Sequence, residues 1–180
     1  MNKKILLIIT GSIAAYKSLE LIRLLRKKTF YVTCVLTDGA KQFVTPMSVA
    51  SISENNVYDN VFSLKDETEM GHIRLSRDSD LILVAPASAD IIGKMANGLA
   101  DDLASTILLA SDKDIFIAPA MNHLIWKNNA VRRNINLLLE DGARLIEPES
   151  GELACGEKGQ GRMAEPENII KVVEDYFNNA

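Results

Sequence analysis

Short apolar runs alternate with longer amphipathic ones along this chain. Lys4 to Thr10 contains Ile5-Leu6-Leu7-Ile8-Ile9 and reads as a strand with no polar face. Ile13 to Lys28 changes period: Ala15, Leu19, Ile22 and Leu25 fall on one helical face, and Lys27-Lys28 suits the carboxyl end of a helix dipole. Phe30 to Leu36 is a second strand. Ala40 to Val44 and Met47 to Ser51 read as short helical pieces interrupted at Pro46. Asp80 to Ala85 is a third strand, followed by a helical region from about Ala89 to Ala110 with Gly93, Asn97 and Gly98 as breaks. Asp114 to Ala118 is a fourth strand. Leu124 to Leu139 is a helix ended by Gly142, and Ala143 to Ile146 a fifth strand. Pro166 fits the first turn of a last helix reaching about Phe177.

Strands that are apolar throughout, alternating with helices, predict a parallel sheet covered on both faces. The pattern implies a doubly wound α/β fold in three αβα layers, as one domain over residues 1–180. Ligands in such folds bind beyond the carboxyl ends of the strands. That rule selects Thr10 to Ile13, Thr37 to Gly39, Pro86 to Asp90, Pro119 to Asn122 and Pro148 to Glu165.

Composition narrows the function. A hydrophobic share of 47% supports a sizeable core, and a formal charge of −4 argues against nucleic acid as a partner. The cysteines, Cys34 and Cys155, are far apart, and Cys34 sits in an apolar strand; this fits a reducing, cytoplasmic setting. With His72 and His123 as the only histidines and no CxxC, no metal site is expected. Met1-Asn2-Lys3-Lys4, the apolar run and Ala14-Ala15 have a superficial signal-peptide look. Thr10-Gly11-Ser12 interrupts that run, and it is read here as a strand. No stretch of 18 apolar residues occurs, so no membrane span is expected.

The strand ends carry the candidate chemistry. Gly11-Ser12 leads into a helix N-terminus, a place for a phosphate. A dinucleotide fingerprint needs glycine where Ile13 and Tyr16 stand, so a mononucleotide fits better, with an ordinary strand-to-helix turn as the alternative. Pro86-Ala87-Ser88-Ala89-Asp90 and Pro119-Ala120-Met121-Asn122 each begin with a proline expected to stop its strand. Small residues follow, which let a flat ligand near the backbone. Ser88 and Asn122 can also act simply as helix caps. His72 is either a proton-transfer group or structural. His123 is expected at the surface, and Trp126 as a packing anchor. Glycine recurs at 151, 156, 159 and 161, so Cys155 is expected in a loop able to change shape. Arg162 can serve a substrate phosphate or a structural ion pair.

Gly11-Ser12-Ile13, His72, Pro86 to Asp90, Pro119 to Asn122, Ala154-Cys155-Gly156 and Gly161-Arg162-Met163-Ala164-Glu165-Pro166 occur together and in order. Each is weak alone. As a set they resemble the homo-oligomeric flavin-containing cysteine decarboxylases over nearly the whole chain. The resemblance implies a flavodoxin-like, Rossmann-type fold with FMN as cofactor. It places the FMN phosphate at Gly11, Ser12 and Ile13, with Thr37, Ser88, Ala89, Asp90 and Ala120 lining the rest. His72 becomes the catalytic base, Asn122 the ligand of the substrate carboxylate and Cys155 the proton donor. Met121, Glu152, Leu153 and Ala154 join Asn122 in binding substrate, under a flexible flap at about 150–165. The implied substrate is phosphopantothenoylcysteine of coenzyme A biosynthesis, and the implied assembly a homotrimer or homododecamer. The family segment often reads Pro-Ala-Ser-Ala-Asn-Thr; Asp90-Ile91 here departs from it, and a carboxylate cannot donate as an amide does. Peptidyl-cysteine decarboxylase, flavin prenyltransferase and a non-catalytic FMN-binding regulator stay open as alternatives.

Overall fold

The computed structural model describes residues 2–60, 71–152, 156 and 158–179, with the His72 side chain left out. Six parallel strands form the central sheet: β1 (Lys4–Ile9), β2 (Tyr31–Leu36), β3 (Val57–Tyr58), β4 (Leu81–Ala87), β5 (Ile115–Pro119) and β6 (Arg144–Leu145). Their order across the sheet is β3-β2-β1-β4-β5-β6. Leaving out the two-residue β3, the other five run 2-1-3-4-5 in chain order, the flavodoxin arrangement. β1 lies at the centre, Leu7 facing Cys34 on one side and Leu83 on the other.

The unbroken apolar runs serve two cores because side chains alternate across a strand. Ile5, Leu7 and Ile9 join Leu21, Ile22 and Leu25 of α1 (Ala15–Lys27) and Ile169 and Val173 of α8 (Pro166–Asn178). Leu6 and Ile8 point the other way. They meet Ile92 of α4 (Ala89–Ala96), Ile107 of α5 (Leu103–Leu109) and Ile135 of α7 (Asn129–Glu140). Trp126 of α6 (His123–Lys127) is buried in this second core, the anchor expected of it. No helix among the described residues is long and apolar enough to cross a membrane.

Several boundaries differ from the sequence expectation. The two short helical pieces are present, a single turn at Ala40–Gln42 and α2 (Pro46–Ser53), but Pro46 is the first residue of the second, behind a Thr45–Ser48 capping box. The 89–110 region breaks at Asn97 and Gly98 as expected: Asn97 ends α4, Gly98 turns the chain at φ +64, and Asp102 caps α5. Gly93 is no break. It lies inside α4, where a Cβ would meet Asn134 of α7 at 3.7 Å. Asn128 splits the predicted 124–139 helix, its Oδ1 accepting from Ala130 N at 2.9 Å. Pro86 and Pro119 fall within the last residues of β4 and β5, Pro86 where the ladder register shifts. α3 (Gly71–Arg77) was not anticipated. Neither was the antiparallel pair β7 (Glu149–Glu152) and β8 (Lys158–Arg162), where a loop was expected.

Candidate functional site

The carboxyl ends of β1, β2, β4 and β5 open into a cleft of about 1160 Å³. It sits where the chain order reverses across the sheet, β2 on one side of β1 and β4 on the other. At its base the Gly11-Ser12-Ile13 turn feeds α1. Ser12 O accepts from Ala15 N at 2.9 Å and Ser12 Oγ from Ala14 N at 3.3 Å, so the positive end of the helix dipole faces the cleft. A Cβ on Gly11 would lie 3.1 Å from Gly39 Cα. The turns after β1 and β2 therefore meet backbone to backbone. Thr37 Oγ1 accepts from Ala40 N at 3.2 Å and starts the next turn.

The segment after β4 builds one wall. Thr10 Oγ1 donates to Pro86 O at 2.6 Å and accepts from Ser88 N at 2.9 Å. Ser88 Oγ caps α4 by accepting from Ile91 N at 3.3 Å, and Ser88 still lines the cleft; cap and site coincide. Asp90 is not a bare carboxylate. Lys94 Nζ lies 3.3 Å from Asp90, 3.0 Å from Asp101 and 3.4 Å from Asp102. Burial alone pulls the Lys94 pKa down; the Asp101 hydrogen bond and the Asp102 and Asp90 charges outweigh it and hold the pKa above the lysine range. The hydrogen bond from Lys94 keeps Asp101 below the usual carboxylate range.

The opposite wall joins the end of β5 to the hairpin. Ala120 N donates to Ala87 O at 3.1 Å and Met121 N to Gly161 O at 2.9 Å. Asn122 Oδ1 accepts from Leu124 N at 2.8 Å, capping α6, and the residue lines the cleft. The hairpin glycines serve close packing. Gly161 has φ +134, and a Cβ there would collide with Met121 O; one on Gly159 would lie 2.7 Å from His123 Cβ. His123 is accordingly half-buried beneath β8, not the surface residue expected.

The hairpin base is tied to α1. Lys17, only 7% exposed, donates to Met163 O at 3.2 Å and to Glu165 Oε1 at 3.0 Å. Arg162 pairs with the same carboxylate, the structural ion pair among its two expected uses. Glu149 Oε1 accepts from Glu165 N at 3.1 Å, and that bond is the main cause of its lowered pKa.

The predicted residues Gly11, Ser12, Ile13, Thr37, Ser88, Ala89, Asp90, Ala120, Met121, Asn122 and Glu152 all line this one cleft. Leu153, Ala154, Cys155 and the His72 side chain lie outside the described residues. The His72 backbone is in the first turn of α3, which packs on α5. Sequence reasoning missed Lys17, Phe43, Lys94, Asp101 and Asp102. Gly39 lies in the selected Thr37–Gly39 segment; Lys17 and Lys94 on helices, and Asp101 and Asp102 in the turn before α5, carried no sequence signal. Cys34 is buried, and burial pushes its thiol up to about 12 despite a hydrogen bond with Ser53, so it is chemically quiet.

A family model described as Flavoprotein matches residues 1–178. The coenzyme A biosynthesis bifunctional protein CoaBC of Haemophilus influenzae is 47% identical over 177 residues, covering 98% of this chain and 44% of that protein. The chain thus spans less than half the length of the first curated relatives it matches. A probable phosphopantothenoylcysteine decarboxylase of Streptococcus mutans is 41% identical over 179 residues, covering 98% of this chain and all of that one. Among solved structures, a cysteine-to-serine variant of PPC decarboxylase complexed with pantothenoylaminoethenethiol superposes with a TM-score of 0.89 at 34% identity, covering 99% of this chain and 100% of that one. The peptidyl-cysteine decarboxylase EpiD superposes at 0.81 with 30% identity, covering 96% and 99%.

Proposed function

This chain belongs to the Flavoprotein family, and on that premise we propose that it is a carboxy-lyase using FMN to convert phosphopantothenoylcysteine to 4′-phosphopantetheine. The observation that carries the reading is the convergence of the β1, β4 and β5 strand ends on one cleft. The likeness to PPC decarboxylase across 99% of the chain supports it. The residues present fit the cofactor. The Gly11–Gly39 approach puts bare backbone rather than Cβ atoms beside the α1 N-terminus, where a phosphate can bind, and about 1160 Å³ has room for a flavin and a substrate together.

An ordinary cysteine carboxylate has no electron sink when its C–C bond breaks. Oxidation of the CH2–SH group to a thioaldehyde places C=S β to the carboxylate, and the bonding electrons flow there as CO2 leaves. FMN, when bound, supplies a two-electron acceptor that later returns the pair. The chain's residues position the substrate and move protons. His72 takes a proton during oxidation, the role its imidazole side chain suits. Asn122, at the cleft mouth, holds the substrate carboxylate through its amide. Met121, Glu152, Leu153 and Ala154 bind the rest of the substrate, and Cys155, on a flap at about 150–165, protonates the enethiolate carbon.

Large apolar side chains at the cleft, Ile13 at 56% exposure and Tyr16 at 59%, support a subunit boundary there; the homotrimer or homododecamer is what the resemblance to the flavin-containing cysteine decarboxylases implies. The reading places the enzyme in the cytoplasm. The test is incubation of purified holoprotein with phosphopantothenoylcysteine and, separately, with a peptide ending in cysteine. CO2 from the first alone is expected. CO2 from the peptide alone would move the assignment to a peptidyl-cysteine decarboxylase, and CO2 from neither would leave a flavin prenyltransferase or a non-catalytic flavoprotein.

A further inference from the structure

β1 and β4 pair in register from Ile5 and Leu81 to Ile8 and Val84, and the ladder stops there. β4 then changes register against β5 between Val84 and Ala87. The backbone that follows forms the cleft wall, so it lies past the end of its β1 ladder. Two buried hydroxyls of the β1–α1 unit take over. Ser18 Oγ donates to Ala85 O at 2.8 Å, and Thr10 Oγ1 donates to Pro86 O at 2.6 Å while accepting from Ser88 N at 2.9 Å. Ser18 is 0% and Thr10 1% exposed.

Thr10 has the more consequential place. It directly precedes Gly11, the first residue of the turn that faces the cleft, and it holds Ser88, the cap of α4 and a cleft residue. A hydroxyl offers one donor and two acceptor positions, and here donor and acceptor are used on the two sides of one peptide segment. Valine has nearly the same shape and neither capacity. It would leave Pro86 O and Ser88 N buried without this partner, and a buried unpaired group drives its backbone to move. The segment that would move is the wall.

We propose that Thr10 is a positioning residue of the cofactor cleft: its bridging hydroxyl sets the Ser88–Asp90 wall at the distance from the Gly11–Ile13 turn that a flavin mononucleotide requires. This rests on the FMN reading above. It deepens that reading by dividing the work. The turn grips phosphate, and Thr10 fixes the part of the cleft that meets the rest of the flavin.

The test measures dissociation constants of FMN and of riboflavin, which lacks the phosphate, for wild type, Thr10→Val, Thr10→Cys and Thr10→Ser, with the visible spectrum of each bound flavin. The thiol variant, which forms only weak hydrogen bonds, is the second probe should the valine protein not fold. Loss of the bridge is expected to weaken both flavins by the same factor, on the order of tenfold, and to shift the bound spectrum. Thr10→Ser should restore both. Wild-type affinity and spectrum in Thr10→Val would overturn the proposal. So would a loss confined to FMN, which would place the effect at the phosphate turn. Failure of both Thr10→Val and Thr10→Cys to fold beside a folded Thr10→Ser would also overturn it, since the bridge would then serve the sheet as a whole. A wild-type protein that binds neither flavin would overturn the cofactor reading, and this inference with it.

Discussion

Asn122 combines two duties in one side chain. Its Oδ1 caps α6 while the residue stands at the cleft. Asp caps a helix as well as Asn does, so Asn122→Asp should leave the denaturation midpoint unchanged. It should raise KM for the carboxylate substrate on the order of tenfold, because like charges then face each other. Trp126 makes the contrasting case. It is 1% exposed, with the Arg132 guanidinium 5.1 Å from its ring centroid. Trp126→Ala should cost about 3–5 kcal/mol in a denaturant titration, a packing loss. Cys155→Ser should separate the two halves of the reaction. Oxidation and CO2 loss need no acid at carbon, but the return to a saturated thiol does, and a thiol with a reference pKa of about 8.5 is a far better acid than an alcohol. Anaerobically the variant should release CO2 and accumulate the unsaturated thiol. Normal 4′-phosphopantetheine at the normal rate would make Cys155 a bystander.

The pairing of β7 with β8 is held from outside the hairpin. Glu149 accepts from Glu165 N and from Asn168 Nδ2 at 2.8 Å, with the Lys17 and Arg162 charges adding to the lowered pKa. A carboxylate whose pKa falls on folding stabilises the folded state above its unfolded pKa, and that contribution fades as pH drops through the lower folded value. The melting temperature of wild type should therefore exceed that of Glu149→Gln at neutral pH, and the gap should close below about pH 4. A gap that stays constant with pH would contradict this role. The hairpin is also where sequence patterning fell short. Lys-Gly-Gln-Gly-Arg has no alternation of apolar and polar residues. It becomes a strand because Gly159 and Gly161 let it lie against His123 and Met121, a contact between distant parts of the chain. β3 has only two residues, too few to show a period, and the helical period runs on through Asn128 although that residue breaks the helix. The long strands were legible because both their faces are buried, which leaves an apolar run that needs no partner to be seen.

On the scale of the molecule, parallel strands leave their carboxyl ends on one edge, so three short motifs far apart in sequence meet in one cleft. This made Gly11–Ile13, Ser88–Asp90 and Ala120–Asn122 readable as a site. Lys17, Lys94, Asp101 and Asp102 were not, because on a helix or an exposed turn a charged residue looks the same whether it faces water or a neighbour. At the cleft the exposed Asp90 carboxylate is paired with the Lys94 ammonium 3.3 Å away. The central claim is that this cleft, loaded with FMN, removes CO2 from phosphopantothenoylcysteine. The most direct measurement supplies that substrate to the purified yellow holoprotein and quantifies CO2 and 4′-phosphopantetheine together. Equal amounts of the two, formed over many turnovers with no net consumption of FMN, are the predicted result. Intact substrate and no CO2 from well-folded, FMN-loaded protein would contradict the account.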